Sequence, residues 1–220
     1  VLAVAAGILV LWPVLQLQSR AFLDGGSAFA RMMDLPRIGT TMRTTFLLAV
    51  LSSALAVFIG TLLAWCASML PQSVRRIGEL APLLPLVVPA VAAVTGWIFL
   101  LSPNVGYLNM ALRQLPGLDH LQEGPFNIYS VTSIIVITGM LLSSFVYVFV
   151  FTGLKNMGQE LEAAAAACGA PPAMRFFTIT LPLLRPSIIF ATGVVFLLGL
   201  GQFTAPLLLG RTAKIDVLTT

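Results

Sequence analysis

Few residues in this chain could do chemistry. The single histidine, His120, stands beside Asp119 and Glu123, but a metal site needs convergent partners at ligand spacing, and one loop histidine next to two carboxylates reads as solvated. The two cysteines, Cys66 and Cys168, read as free thiols, buried or reduced. The only lysines, Lys155 and Lys214, do not follow a glycine, so no G-x-x-x-x-G-K-[ST] loop is present to cradle phosphate. The chain cannot hydrolyse ATP by itself. No catalytic or metal-ligating residue is assigned, which speaks against a membrane enzyme.

One segment stands apart. Leu161 to Pro182 reads LEAAAAACGAPPAMRFFTITLP, a helix-prone, mildly charged island between two long apolar runs. Gln159 to Cys168 are strong helix formers, and Ala163 to Ala167 offer a surface almost without side-chain bulk, so another backbone can approach with little entropy lost. Gly169 suits the left-handed position that ends a helix. Pro172 is pre-set for the first turn of a second helix through Ala173 to Thr178. Two short helices joined by a tight corner would transmit a push. The competing reading is an amphipathic helix lying on the membrane with Phe176, Phe177 and Ile179 in the interface.

The elements that carry this segment follow from composition. Of 220 residues 58% are hydrophobic and 9% charged, with a mean hydropathy of +0.99, which suits a membrane protein. Charged residues divide the chain into uncharged stretches, Val1 to Ser19, Thr44 to Val74, Leu80 to Leu112, Gly124 to Leu154 and Pro186 to Gly210. Each holds the roughly 20 apolar residues a spanning helix needs. The runs are continuous and not alternating, which favours helices over a barrel. The expectation is an all-α, polytopic domain over 1–220, with spans near 1–17, 44–68, 80–101, 128–152 and 187–208 and a loop over 153–185. Pro82, Pro85 and Pro89 should each bend the third span. Val1 is not a start methionine and the end IDVLTT looks cut, so the sequence reads as a piece of a longer chain. A signal peptide is disfavoured because no small-residue cleavage site precedes Arg20.

The Ala-rich run led by Glu162, closed by Gly169, and ending thirteen residues later in Leu181-Pro182 resembles the EAA loop of ATP-binding-cassette (ABC) importer permeases of the type I fold. That resemblance implies that Glu162, Ala163, Ala164, Gly169, Ala170, Leu181 and Pro182 belong to a cytoplasmic coupling loop that docks on a separate ATPase. It departs from the family in one respect: the glutamate stands seven residues before the glycine, where six is usual, and Ala163 takes the usual place. One position is about 100° of helix rotation, so Glu162 need not face the partner as the family's glutamate does, while the alanines and Gly169 carry over more safely. GYLN at Gly106 to Asn109, FNIYS at Phe126 to Ser130, LPLLRPSI at Leu181 to Ile188 and FTAPLLLG at Phe203 to Gly210 are similar to iron(III) importer permeases, and related polyamine, thiamine and phosphonate permeases share the pattern.

The resemblance further implies a second permease half, fused or separate, two ABC ATPase subunits that hold ATP and Mg, a periplasmic or extracellular solute-binding protein, and an inner-membrane location in contact with lipid. No cofactor is expected on this chain and no nucleic acid among its partners. Pro85, Pro89, Gln202 and Thr204 are candidates for the translocation path, against the alternative that they only join neighbouring helices. No ionisable residue falls inside an expected span, and neither an inverted repeat nor an embedded carboxylate is evident, which disfavours a gradient-driven transporter. The charges oppose the expected orientation. Arg20, Arg31, Arg37, Arg43, Arg113, Arg211 and Lys214 fall on one face, against Arg75, Arg76, Lys155, Arg175 and Arg185 on the other. Seven against five would put the first set in the cytoplasm, whereas the resemblance puts the loop at Glu162 there.

Overall fold

The computed structural model describes residues 9, 11–13, 15, 16, 18, 19, 37–114, 124–157, 160–210, 217 and 218. The expected span near 1–17 lies largely outside these residues. Asp119, His120, Glu123, Gln159, Arg20, Arg31, Arg211 and Lys214 lie wholly outside them. The chain divides into two compact units, Val1–Arg43 and Thr44–Thr220, and the helix packing of interest lies within the second. All regular structure among the described residues is helical.

Helix α1, Ile38–Ser68, has 31 residues and is roughly 46 Å long at the α-helical rise. It begins six residues before the expected span, because Arg43 marks an end of the apolar run without interrupting backbone hydrogen bonding. Pro71, extended at ψ 152°, turns the chain into α2, Gln72–Leu80. A 3₁₀ turn at Ala81–Leu83 and the short α3, Leu84–Val87, follow. Helix α4, Ala90–Leu101, then departs at 98° from the direction of the α2–α3 segment. Only one of the three prolines makes this bend. Pro82 and Pro85 sit in first turns, where a missing N–H costs nothing. Pro89 instead drives Val88 into extended backbone at ψ 126°.

Helix α5, Tyr107–Arg113, carries Asn109, which is fully buried. Its Nδ2 donates to the carbonyls of Leu101, Ser102 and Phe126 at 3.2, 3.0 and 2.8 Å. The Phe126 N–H donates back to its Oδ1 at 3.2 Å. The GYLN and FNIYS segments are thus one structural unit. Helix α6, Val131–Asn156, starts at Ser130, whose Oγ accepts from the Ser133 N–H at 3.1 Å.

Helix α6 is the centre of the fold, packed against α1 on one side and α10, Arg185–Leu200, on another. Ala56, Ala64 and Ala67 of α1, Leu142, Val146 and Val150 of α6 and Ala191 and Val195 of α10 form one core. A second joins Leu48, Val94, Ile134 and Ile137 to Ala205 and Leu209. Small residues let the backbones approach, as expected where lipid removes the hydrophobic drive between helices. At Gly60 an added Cβ would stand 2.6 Å from the Ser143 carbonyl oxygen and 2.6 Å from Val146 Cβ. The expected fifth span differs too. Its helix ends at Leu200, eight residues early, and after the break at 201–203 the chain re-forms as a π turn, Pro206–Gly210. Among the described residues two helices, α1 and α6, are long and apolar enough to span a membrane without interruption. The count reaches four if each bent pair is one span; the remaining expected span, near 1–17, lies largely outside the described residues.

Candidate functional site

Helix α7, Glu160–Ala167, ends in a corner whose amides at 168–170 all donate back to the helix. The Gly169 N–H donates to the Ala166 carbonyl at 2.9 Å and the Ala170 N–H to the Ala165 carbonyl at 3.0 Å. With Gly169 at φ 80°, this is the Schellman arrangement, in which a left-handed residue lets two amides satisfy carbonyls that a helix end leaves orphaned. Pro171 is extended at ψ 154°, and Pro172 opens α8, Pro172–Arg175, in its first turn. The corner expected at Gly169 and the restart expected at Pro172 are both present. The second helix does not stop at Thr178: it widens into a π turn, Phe176–Thr180, and continues through α9, Leu181–Leu183, before bending 69° into α10.

Ala163, Ala164, Ala166, Ala167, Cys168 and Gly169 are exposed, while Ala165 and Ala170 are half-buried. The corner therefore presents backbone and methyl groups outward. An added Cβ at Gly169 meets nothing within 4 Å, so only the positive φ demands glycine there. Glu162 lies within α7. Leu181 and Pro182 are half-buried at the other end of the segment.

The segment is anchored by aromatics. The ring of Phe176 is buried and lies 4.4 Å from Trp65 near the end of α1, while Phe177 is exposed. The surface-lying alternative, with both rings in the interface, is therefore corrected: the π turn rotates Phe176 into the protein. Cys66 and Cys168 are free, as expected, and both are exposed, so of the two alternatives, buried or reduced, burial does not apply.

A cluster that the sequence did not single out lies at the ends of α2 and α6. Glu79 Oε1 accepts from Arg75 Nε at 2.7 Å and Oε2 from Lys155 Nζ at 3.0 Å. The Tyr147 hydroxyl donates to the Glu79 backbone carbonyl at 2.8 Å. The hydrogen bonds from Arg75 and then Lys155 hold the Glu79 carboxyl below the usual carboxylate range. Arg75 with Glu79 is a readable i, i+4 pair, but the partner at Lys155, 76 positions away, is a tertiary fact. Alternation of the spans puts Arg75 and Lys155 on one face, and a single carboxylate joins them there.

The path candidates separate. A cleft of about 730 Å³ opens between α1, the α3–α4 bend and α6, lined by Pro82, Pro85, Val88, Trp97, Met140 and Ser144 among others, none of them ionisable. Pro85 is in it; Pro89 is exposed and is not among the lining residues. Gln202 lines a much smaller cavity, about 10 Å³, with Thr45, Ser52 and Thr138. Thr204 is half-buried and lines neither. Pro85 and Gln202 thus line separate cavities, and Pro89 and Thr204 line neither of the two.

The family described as "Binding-protein-dependent transport system inner membrane component" matches residues 56–219. An sn-glycerol-3-phosphate transport system permease protein of Yersinia pestis is 31% identical over 144 residues, covering 65% of this chain and 48% of its own. The corresponding protein of Salmonella typhi is 36% identical over 140 residues, covering 61% and 46%. A sulfoquinovosyl glycerol transport system permease protein of Agrobacterium fabrum is 28% identical over 203 residues, covering 86% and 65%. The chain thus spans about half the length of the Yersinia and Salmonella relatives. A bacterial ABC transporter involved in the import of the acidic polysaccharide alginate shares the fold, with a TM-score of 0.71 at 19% identity over 100% of this chain and 76% of that one. None of these names an iron(III) importer, and the iron expectation finds no support in them.

Proposed function

The chain belongs to the binding-protein-dependent transport system inner membrane components, the ABC importer permeases, and from that premise we propose that it carries a polar glycerol-phosphate or sugar-type solute. In this reading α7 and the Gly169 corner dock on a separate ATPase that holds ATP and Mg, a solute-binding protein delivers cargo on the opposite face, and a second permease half completes the path. The observation that carries it is the closed corner at Gly169, an exposed, bulk-free surface on a rigid turn between α6 and α10. A flexible loop would dissipate a push; a turn with its amides satisfied passes the push into both flanking helices.

The substrate class rests on the relatives, whose names carry glycerol-3-phosphate and sulfoquinovosyl glycerol. The cleft agrees in one respect: with no ionisable lining residue it offers no anionic oxygen cage of the kind a hard cation needs. Selectivity then resides mainly in the binding protein. The test is reconstitution with the partner ATPase and binding protein in proteoliposomes, followed by uptake of radiolabelled sn-glycerol 3-phosphate, a glycosyl glycerol and ferric citrate. ATP-dependent uptake of either of the first two supports the reading. Uptake of iron alone, or an ATPase that never associates, overturns it.

A further inference from the structure

The cluster of Arg75, Glu79, Tyr147 and Lys155 belongs neither to the corner nor to the cleft, yet it joins the elements leading to both. Glu79 lies in the last turn of α2, and the chain runs from there through Pro82 and Pro85, which line the cleft, to the 98° bend. Lys155 lies in the last turn of α6, which ends at Asn156; α7 begins at Glu160.

Three contacts of different kinds meet at Glu79. Arg75 fixes one carboxylate oxygen from its own helix at 2.7 Å, Lys155 takes the other at 3.0 Å, and Tyr147 reaches the backbone carbonyl at 2.8 Å. That carbonyl lies in the last turn of α2, where carbonyls commonly lack an intrahelical partner. The α6 side is stiff. Tyr147 is 1% exposed, its ring stacks on Phe151 at 5.1 Å, and the Lys155 ammonium sits 4.5 Å over the Phe151 ring. Arg75 and Lys155 are themselves about half exposed, and ion pairs in such settings contribute little to stability. A contact that is cheap to lose, yet fixes the relative position of two elements, is suited to alignment more than to holding the fold.

We propose that Glu79 is a positioning residue that ties the end of α6 next to the coupling corner to the bent α2–α4 segment, so that displacement of α7 moves a wall of the cleft. This rests on the coupling role proposed above for the corner. With the carboxylate held from both sides, the end of α2 follows the last turn of α6. Without it, the Tyr147 hydroxyl and the apolar packing of Leu83 remain, and neither clamps the end of α2 to the last turn of α6, so α6 can shift ahead of the bend.

The experiment uses the complex assembled with its ATPase, in a Cys66→Ser, Cys168→Ser background with nitroxides at Val91→Cys on α4 and Val148→Cys on α6, both exposed positions. In the parent, a non-hydrolysable ATP analogue should shift the distance distribution between the labels. Glu79→Gln and Lys155→Met should reduce the shifted population on the order of twofold to thirtyfold while ATPase binding and thermal stability stay near the parent's. Lys155→Arg should restore the shift. Variants that shift like the parent overturn the proposal, as does a parent that binds its ATPase without any shift. Loss of ATPase binding in parallel with the shift also overturns it, since the cluster would then merely build the corner. A parent that does not bind the ATPase overturns the coupling reading itself, and this inference falls with it.

Discussion

Asn109 holds Phe126 by both sides of its backbone, donating to its carbonyl at 2.8 Å and accepting from its N–H at 3.2 Å. The same amide also caps Leu101 and Ser102 at the end of α4. A single side chain therefore closes the loop between α4 and α6. Because it is fully buried, removing it leaves several polar groups without partners. Asn109→Ala should cost about 1–3 kcal/mol, read as a lowered unfolding temperature of the purified protein in detergent. Asn109→Asp should not rescue it, since a carboxylate cannot donate to three carbonyls. Parental stability in Asn109→Ala would refute this account of the loop.

The corner at Gly169 makes a sharper demand. At φ 80° a β-branched side chain is strained by on the order of 1–3 kcal/mol, and its bulk would stand on the surface offered to the partner. Gly169→Val should leave membrane insertion and binding-protein docking intact while weakening ATPase association or uncoupling hydrolysis from uptake. Gly169→Asn, which tolerates the left-handed region, should be milder, and so should Glu162→Ala because of its displaced register. Co-purification of the ATPase and binding-protein-stimulated hydrolysis would be compared. Normal coupling in Gly169→Val, or a Glu162→Ala variant clearly worse than it, would count against the coupling role.

Close packing of α1 on α6 can be probed at Gly60. A Cβ there meets the Ser143 carbonyl and Val146 at 2.6 Å, neither of which is the loose end of a flexible chain. Gly60→Ala should lower stability by roughly 1–3 kcal/mol through overpacking. Gly193→Ala in α10, where nothing lies within 4 Å, serves as the control and should be neutral or slightly stabilising. Equal effects at the two glycines would show that the helices do not approach as described.

Orientation is open to direct chemistry, because Cys66 and Cys168 are both exposed. In a Cys66→Ser background, an impermeant maleimide added to intact cells should leave Cys168 unlabelled and should reach it only in inverted membrane vesicles. Labelling from outside in a functional complex would place the corner on the wrong face for an ATPase.

What could be read from the sequence alone was whatever depends on local chemistry and bulk solvation. Long uncharged runs report transfer into lipid, so the helical class and the two uninterrupted spans were legible, with ends displaced because charge marks a membrane boundary and not a helix boundary. Gly169 followed by Pro171 and Pro172 reports backbone preference, and the corner formed where expected. Only the tertiary structure decided which proline bends. Pro82, Pro85 and Pro89 are chemically alike, but two fall in first turns where their missing N–H is harmless. It likewise turned Phe176 inward through a π turn against Trp65, separated Gln202 and Thr204 from the cleft at Pro85, and ended the last helix at Leu200. Asn109 and Glu79 stayed hidden for the same reason: their partners lie 17 and 76 positions away. A polar side chain shows no periodic signal of what it will meet, because distant pairing is set by how the helices pack and not by the neighbours along the chain.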